Sequence, residues 1–230
     1  MNDLLTQSTF FGVAVSILAY EAGVVLRKKL KWGILNPLLI SIVVVIVLLL
    51  VCNIDYDSYY EGAKYLSYLL TPATVCLAVP LYEQISLLKK NFIAIAGGIL
   101  SGVLTSLVSV LIMSVVLGLN HEQYVTMLPK SITTAIGMGV SDELGGIVTI
   151  TVAVIIITGV LGNIIAEAVC KIFRIKEPVA VGIAIGSSAH AVGTARAMEI
   201  GEIQGAMSSL SIAVAGLLTV VGASVFAGFY

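Results

Sequence analysis

Apolar residues fill long uninterrupted stretches of this chain, and polar residues are confined to short intervals between them. Charge-free runs cover residues 92 to 119, 144 to 166 and 203 to 230. Each exceeds the roughly 18 residues that separate a membrane span from an ordinary buried helix. Allowing a few charges, six segments are long enough to cross a bilayer: 8 to 28, 34 to 52, 65 to 84, 92 to 119, 144 to 169 and 203 to 229. Two further stretches, 126 to 143 and 178 to 200, are rich in Gly, Ser, Thr and Ala, begin near Pro129 and Pro178, and carry ionisable side chains. They predict either full spans or broken, re-entrant elements. The pattern is that of an all-α polytopic membrane protein with about six full transmembrane helices and two re-entrant or broken elements, forming one transmembrane domain over 1 to 230.

Composition narrows the function classes. Hydrophobic residues make up 59% of the 230 and charged residues 11%, against about a quarter charged in a soluble domain, so one water-soluble core cannot hide this surface. A net charge of -1 with its cations in short clusters offers no face to nucleic acid. Asp3 and the absence of a basic residue or a small-residue cleavage site around the first apolar run argue against a cleaved signal peptide. Cys52, Cys76 and Cys170 have neither metal nor disulfide spacing and read as packing residues. No nucleophile with a base, paired catalytic carboxylates, metal cluster or phosphate loop is present, and Gly137 with Gly139 is too weak a phosphate signal. Neither an enzyme nor a bound cofactor or metal is expected.

Charge placement predicts topology, because short cytoplasmic loops collect Lys and Arg. The clusters are Arg27, Lys28, Lys29 and Lys31; Lys89 and Lys90; and Lys171, Arg174 and Lys176, whereas the opposite loops hold Asp55, Asp57, Glu61 and Glu122 with only Lys64. Keeping every basic cluster inside requires residues 126 to 143 to enter and leave on the outer side of the plasma membrane. It also places both termini outside.

The two Ser/Gly-containing stretches align at an offset of 56. Ser131, Ala135, Gly137, Glu143 and Gly145 fall on Ser187, Ala191, Gly193, Glu199 and Gly201, and a long uncharged span follows each copy. The expected repeat units are 126 to 170 and 182 to 229, with opposite orientation. Inverted repeats whose broken elements meet near the midplane are an architecture of secondary transporters. Irregular backbone at that depth is tolerated only where it is buried in protein or lines a water-filled cavity.

Several stretches carry a family likeness: Asn36-Pro37-Leu38-Leu39; Leu70-Thr71-Pro72-Ala73-Thr74 with Val79-Pro80-Leu81-Tyr82; Pro129 to Thr134; and Ser188-Ala189-His190-Ala191 with Gly193-Thr194-Ala195. Through them the chain resembles the LrgB/CidB family, whose relatives include the LrgB-like half of plastid glycolate/glycerate translocators. The resemblance implies one of two functions. One is transport of small monocarboxylates such as glycolate, glycerate or pyruvate; the other is a holin- or antiholin-like modulation of murein hydrolase activity and autolysis. It also implies an LrgA/CidA-like membrane partner, since the chain has no such half of its own.

A small carboxylate inside a membrane needs charge-assisted donors and helix N-termini. Lys130, Ser131, Thr133 and Thr134 provide one such set, and Ser187, Ser188, His190, Thr194 and Arg196 a second. The same hydroxyls also suit helix-to-helix hydrogen bonding. His190 fits a proton relay or a satisfied donor between helices. Arg196 needs an answering carboxylate, from substrate or from Glu199 at i+3. Asp142 and Glu143 suit ion pairing with Lys130, proton coupling, or plain solvation. Gly137, Gly139 and Gly193 are candidate hinges or close-approach points. Pro72 and Pro80 are expected to kink or break the third span, with Thr71 and Thr74 beside them. Gly98, Gly102, Thr105 and Ser109 form a small-residue face, for internal packing or for a homo-oligomer.

Overall fold

The computed structural model describes residues 10–30, 37–69, 72, 76, 78–83 and 85–230, the side chains at 78, 80, 81, 85, 87 and 88 excepted. Asn36, Thr71, Ala73, Thr74 and the side chain of Pro80 therefore lie outside the described residues. The chain forms two compact units, Met1–Cys76 and Leu77–Tyr230.

The first unit holds α1 (Phe11–Leu30), α2 (Pro37–Val51) and α3 (Tyr56–Ser67). α1 ends on Arg27, Lys28 and Lys29, cations that suit the negative end of a helix dipole. Glycines let its neighbours approach: a Cβ on Gly23 would fall 3.0 Å from the Cα of Pro37, and Gly12 touches the backbone of Tyr59. The Ser16 hydroxyl bonds the Tyr59 hydroxyl at 2.7 Å. α3 starts at Tyr56, ahead of the span expected from 65. It is an amphipathic helix capped by Asp55, which accepts from the Asp57 N–H. Tyr56, Tyr60, Tyr65 and Tyr68 are exposed around it, a composition suited to a membrane–water boundary.

The second unit holds α4 (Ala78–Glu83), α5 (Ile85–Lys90), α6 (Phe92–Leu117), α7 (His121–Met127), α8 (Thr134–Glu143), α9 (Val148–Ile172), α10 (Pro178–Ile200) and α11 (Glu202–Ala227). By length and composition α6, α9, α10 and α11 suffice to cross a membrane. The protein is an all-α polytopic membrane protein. Along α6, Ile95, Ile99, Val103, Leu107 and Val110 form one buried stripe, while Leu100, Leu104, Val108 and Ile112 are exposed on the other side, as a helix between protein and lipid requires. A left-handed Gly118 ends α6. The end of α11 locks onto that corner: Tyr230 donates to Leu119 O at 2.6 Å and Tyr124 to Phe226 O at 2.8 Å. The C-terminal ends of α6 and α11 thus lie on the same side.

Between α6 and α9 the chain folds back. α7 and α8 are the arms of a hairpin whose tip is the loop 128–133. Its base is closed by the buried Thr151 hydroxyl, bonded to Thr126 O at 2.9 Å and Ser141 Oγ at 2.7 Å, and by the Ile147 N–H on Thr126 Oγ1 at 2.8 Å. Its tip reaches the middle of α6, where Ser106 Oγ meets Ser131 Oγ at 3.0 Å.

α10 folds back too, although 23 residues in one straight helix would cross. His190 interrupts it at φ 40°, ψ −138°. A Cβ on Gly193 would stand 3.2 Å from the carbonyl oxygen of Ile185, whereas residues eight apart in an unbroken helix lie about 12 Å apart along the axis. Both arms face α11 at matching levels. Gly182 abuts Met207 while Met198 abuts Gly205, and Gly186 abuts Ser208 while Thr194 bonds Ser208. The first hairpin has the same internal contact, with Gly137 set 3.5 Å from the carbonyl oxygen of Pro129 by the same measure. The two pairs, 129 with 137 and 185 with 193, are separated by the sequence offset of 56.

Candidate functional site

At the tip of the first hairpin, Pro129 and the loop after it release the chain from helical geometry. α8 restarts after Thr133, which has extended backbone and no side-chain cap bond. Ser131 is 7% exposed. Its Oγ accepts from Lys130 Nζ at 3.0 Å and from Ser106 Oγ at 3.0 Å. Lys130 is half-buried, and among the described residues no ion pair includes it. With its acceptor capacity engaged twice, Ser131 retains an O–H donor, and the ammonium retains two of its three N–H donors. The Lys130 and Ser131 side chains thus make the tip rich in donors.

The second tip is more completely satisfied. Ser187 and Ser188 turn back onto Ile183 O at 2.7 Å and Ala184 O at 2.6 Å. His190 Nε2 lies 2.9 Å from Ile155 O on α9. Gly159 makes this possible, since a Cβ there would stand 2.8 Å from that nitrogen. Thr194 bonds His190 O at 3.0 Å and Ser208 Oγ at 2.6 Å, and Asn163 donates to Val192 O at 2.8 Å. His190 therefore joins the hairpin tip to α9 through its ring and to Thr194 through its carbonyl.

The two tips meet the same side of α6. A Cβ on Gly102 would fall 2.8 Å from Ser187 Oγ, and Ser106, which bonds Ser131, is one turn further on. Ser131 and Ser187, which align at the offset of 56, thus meet successive turns of α6. Gly98 continues the line against Ile183, so Gly98 and Gly102 pack internally, while Thr105 and Ser109 are exposed.

The remaining candidates stand apart from this centre. Arg196 lies nearer the base of the second hairpin and pairs with Glu199 and with Glu167 of α9. Together with Lys171, Arg174 and Lys176 these residues line a cavity of about 500 Å³. Asp142 and Glu143 are exposed at the end of α8, and Thr133 and Thr134 are half-buried at its start. Pro72 is exposed. Gly137 is a close-approach point, whereas nothing lies within 4 Å of a Cβ on Gly139. Ser106, Ile155, Gly159, Asn163, Glu167 and Ser208 complete the arrangement without having been singled out from the sequence. Only Ser106, four residues after Gly102 and eight after Gly98, left a signal in helical spacing.

The family model described as LrgB-like family matches residues 16–229. A protein named "Antiholin-like protein LrgB" from Bacillus mycoides (strain KBAB4) is 38% identical over 225 residues, covering 97% of this chain and 98% of the relative. A protein of the same name from Bacillus cereus (strain B4264) is 37% identical with the same coverage. No solved structure matches the chain.

Proposed function

The chain belongs to the LrgB-like family, and on that premise we propose that it is a secondary carrier of small monocarboxylate anions of the glycolate, glycerate or pyruvate kind, working beside an LrgA/CidA-like partner in the plasma membrane. The observation that carries this reading is the donor-rich tip of the first hairpin. A half-buried ammonium with no carboxylate partner among the described residues is costly in a low-dielectric setting. An anion bound by Lys130 Nζ and Ser131 Oγ would compensate both groups, and the start of α8 adds a favourable dipole. The second tip contributes Ser187 on the next turn of α6, and His190 as the group that moves or holds a proton when access changes.

The contacts Pro129 with Gly137 and Ile185 with Gly193 support reading the two hairpins as copies of one unit. In the charge-derived topology they enter from opposite faces, with both termini outside. Alternating access then consists of each hairpin moving in turn against α6, which both tips share.

The experiment is uptake of radiolabelled glycolate, glycerate and pyruvate into proteoliposomes containing the full chain, alone and with its partner. Saturable flux lost in Lys130→Met is the expected result. Flux no greater than that of empty vesicles under every condition would end the carrier reading.

A second reading is favoured by the relatives, which are named antiholin-like: a membrane modulator of autolysis that acts through assembly. It expects leakage of dyes much larger than a monocarboxylate, insensitive to changes at Lys130 and His190. The same vesicles loaded with such dyes discriminate the two.

A further inference from the structure

The cavity at the base of the second hairpin has an excess of positive charge that the proposed transport site does not use. Lys171, Arg174, Lys176 and Arg196 line it, opposed by Glu167 and Glu199. Both carboxylates are engaged by Arg196. Lys171, Arg174 and Lys176 enter no ion pair among the described residues, so four cations face two anions.

The backbone supplies an independent observation. α9 ends in a Schellman turn, with the Ile175 N–H on Cys170 O at 2.8 Å and the Arg174 N–H on Lys171 O at 3.2 Å. The residue that such a turn holds in the left-handed region is usually glycine, because a side chain there is strained. Here it is Arg174, at φ 55°. Strain of this sort collects at binding sites, where the surroundings require a particular side chain, and Arg174 is one of the residues lining the cavity.

We propose that this cavity is a binding site for a phosphate-bearing anion, either the headgroup of an acidic phospholipid or a free phosphate compound. A guanidinium and two ammonium groups belonging to residues of one cavity suit the several acceptor oxygens and double charge of phosphate, and two excess cations are more than one carboxylate neutralises. The volume of about 500 Å³ lies in the range of small-molecule sites. Basic pockets between membrane helices are recognised sites for acidic headgroups.

The test is native mass spectrometry of the full chain in detergent, titrated with phosphatidylglycerol, phosphatidylcholine or inorganic phosphate. The wild type retains phosphatidylglycerol over phosphatidylcholine by roughly ten-fold or more, as three cations near a headgroup imply. Inorganic phosphate that displaces the lipid points to a free phosphate compound; lipid held against phosphate points to the headgroup. Arg174→Gly separates binding from folding. It relieves the left-handed strain and leaves Lys171 and Lys176 in place, so the thermal midpoint is equal or higher while the preference for phosphatidylglycerol falls. Equal retention of both lipids by the wild type, together with no response to phosphate, would overturn the proposal. So would unchanged phosphatidylglycerol retention in the combined Lys171→Gln, Arg174→Gly and Lys176→Gln variant.

Discussion

Gly193 stands against the backbone carbonyl of Ile185, with room between them for a hydrogen and not for a methyl group: a Cβ would be 2.5 Å from Ala189 Cβ and 3.2 Å from that oxygen. The arms of the second hairpin can lie side by side only because the residue three after the turn has no side chain. Gly193→Ala therefore forces the arms apart and lowers the thermal midpoint in detergent, with a loss in the overpacking range of about 1–3 kcal/mol. Gly139→Ala, which meets nothing within 4 Å, is neutral or stabilising by up to about 1 kcal/mol through helix propensity. Equal losses at 139 and 193 would remove the basis for the hairpin geometry.

The long spans were legible because they contain no charge, and α6, α9 and α11 follow the apolar runs to within a few residues. The close approaches at Gly137 and Gly193 had a signal too, since both glycines stand out as candidate close-approach points. The turn at His190 was legible only in part. A re-entrant element over 178 to 200 is one of the two expectations, with Gly193 as a candidate hinge, but the non-helical residue is His190, and contacts across the hairpin locate the reversal there. Glu167 stayed hidden because it joins Arg196 from another helix, 29 residues earlier. Helical spacing extends from Gly102 equally well to Thr105 or Ser106, and tertiary packing against Ser131 selects Ser106.

Thr151 closes the base of the first hairpin. Its hydroxyl is fully buried and reaches both Thr126 O and Ser141 Oγ. Thr151→Val keeps the shape and removes the one hydroxyl that Thr126 O and Ser141 Oγ share, a loss of about 1–3 kcal/mol for buried groups left unsatisfied. Thr151→Ser retains the hydroxyl and recovers most of it. Thermal unfolding of the two variants in the same detergent is the comparison. A valine variant as stable as the serine variant would mean that the base is held by packing alone.

Glu167 and Glu199 both pair with Arg196, yet they restrain different things. Glu199 is on the same arm at i+3, whereas Glu167 ties that arm to α9. With side chains 41% and 51% exposed, neither pair adds more than about 1 kcal/mol. Glu167→Gln lowers the thermal midpoint more than Glu199→Gln does, by less than that amount, and the difference shrinks as salt rises. A double-mutant cycle with Arg196→Ala reads the coupling directly. Zero coupling between Arg196 and Glu167 at low salt would contradict the tie.

Lys130 tests the site through two effects of opposite sign. Its ammonium is half-buried at the hairpin tip with the Ser131 hydroxyl as its partner, so in the empty protein it is a liability. Lys130→Met keeps the length and the apolar stem and removes the charge, and should leave the thermal midpoint equal or higher in the absence of substrate. If the ammonium holds the substrate carboxylate, the same change removes a charge-assisted bond of about 1.5–3 kcal/mol, which is roughly a ten- to hundred-fold weakening of binding. Ser131→Ala should weaken binding less, since it removes a neutral donor and frees Lys130 to reorient. Thermal shift of each variant with and without monocarboxylate gives both quantities from one titration. A Lys130→Met protein that is markedly destabilised while empty would mark the lysine as structural, and the anion would then have to be sought elsewhere.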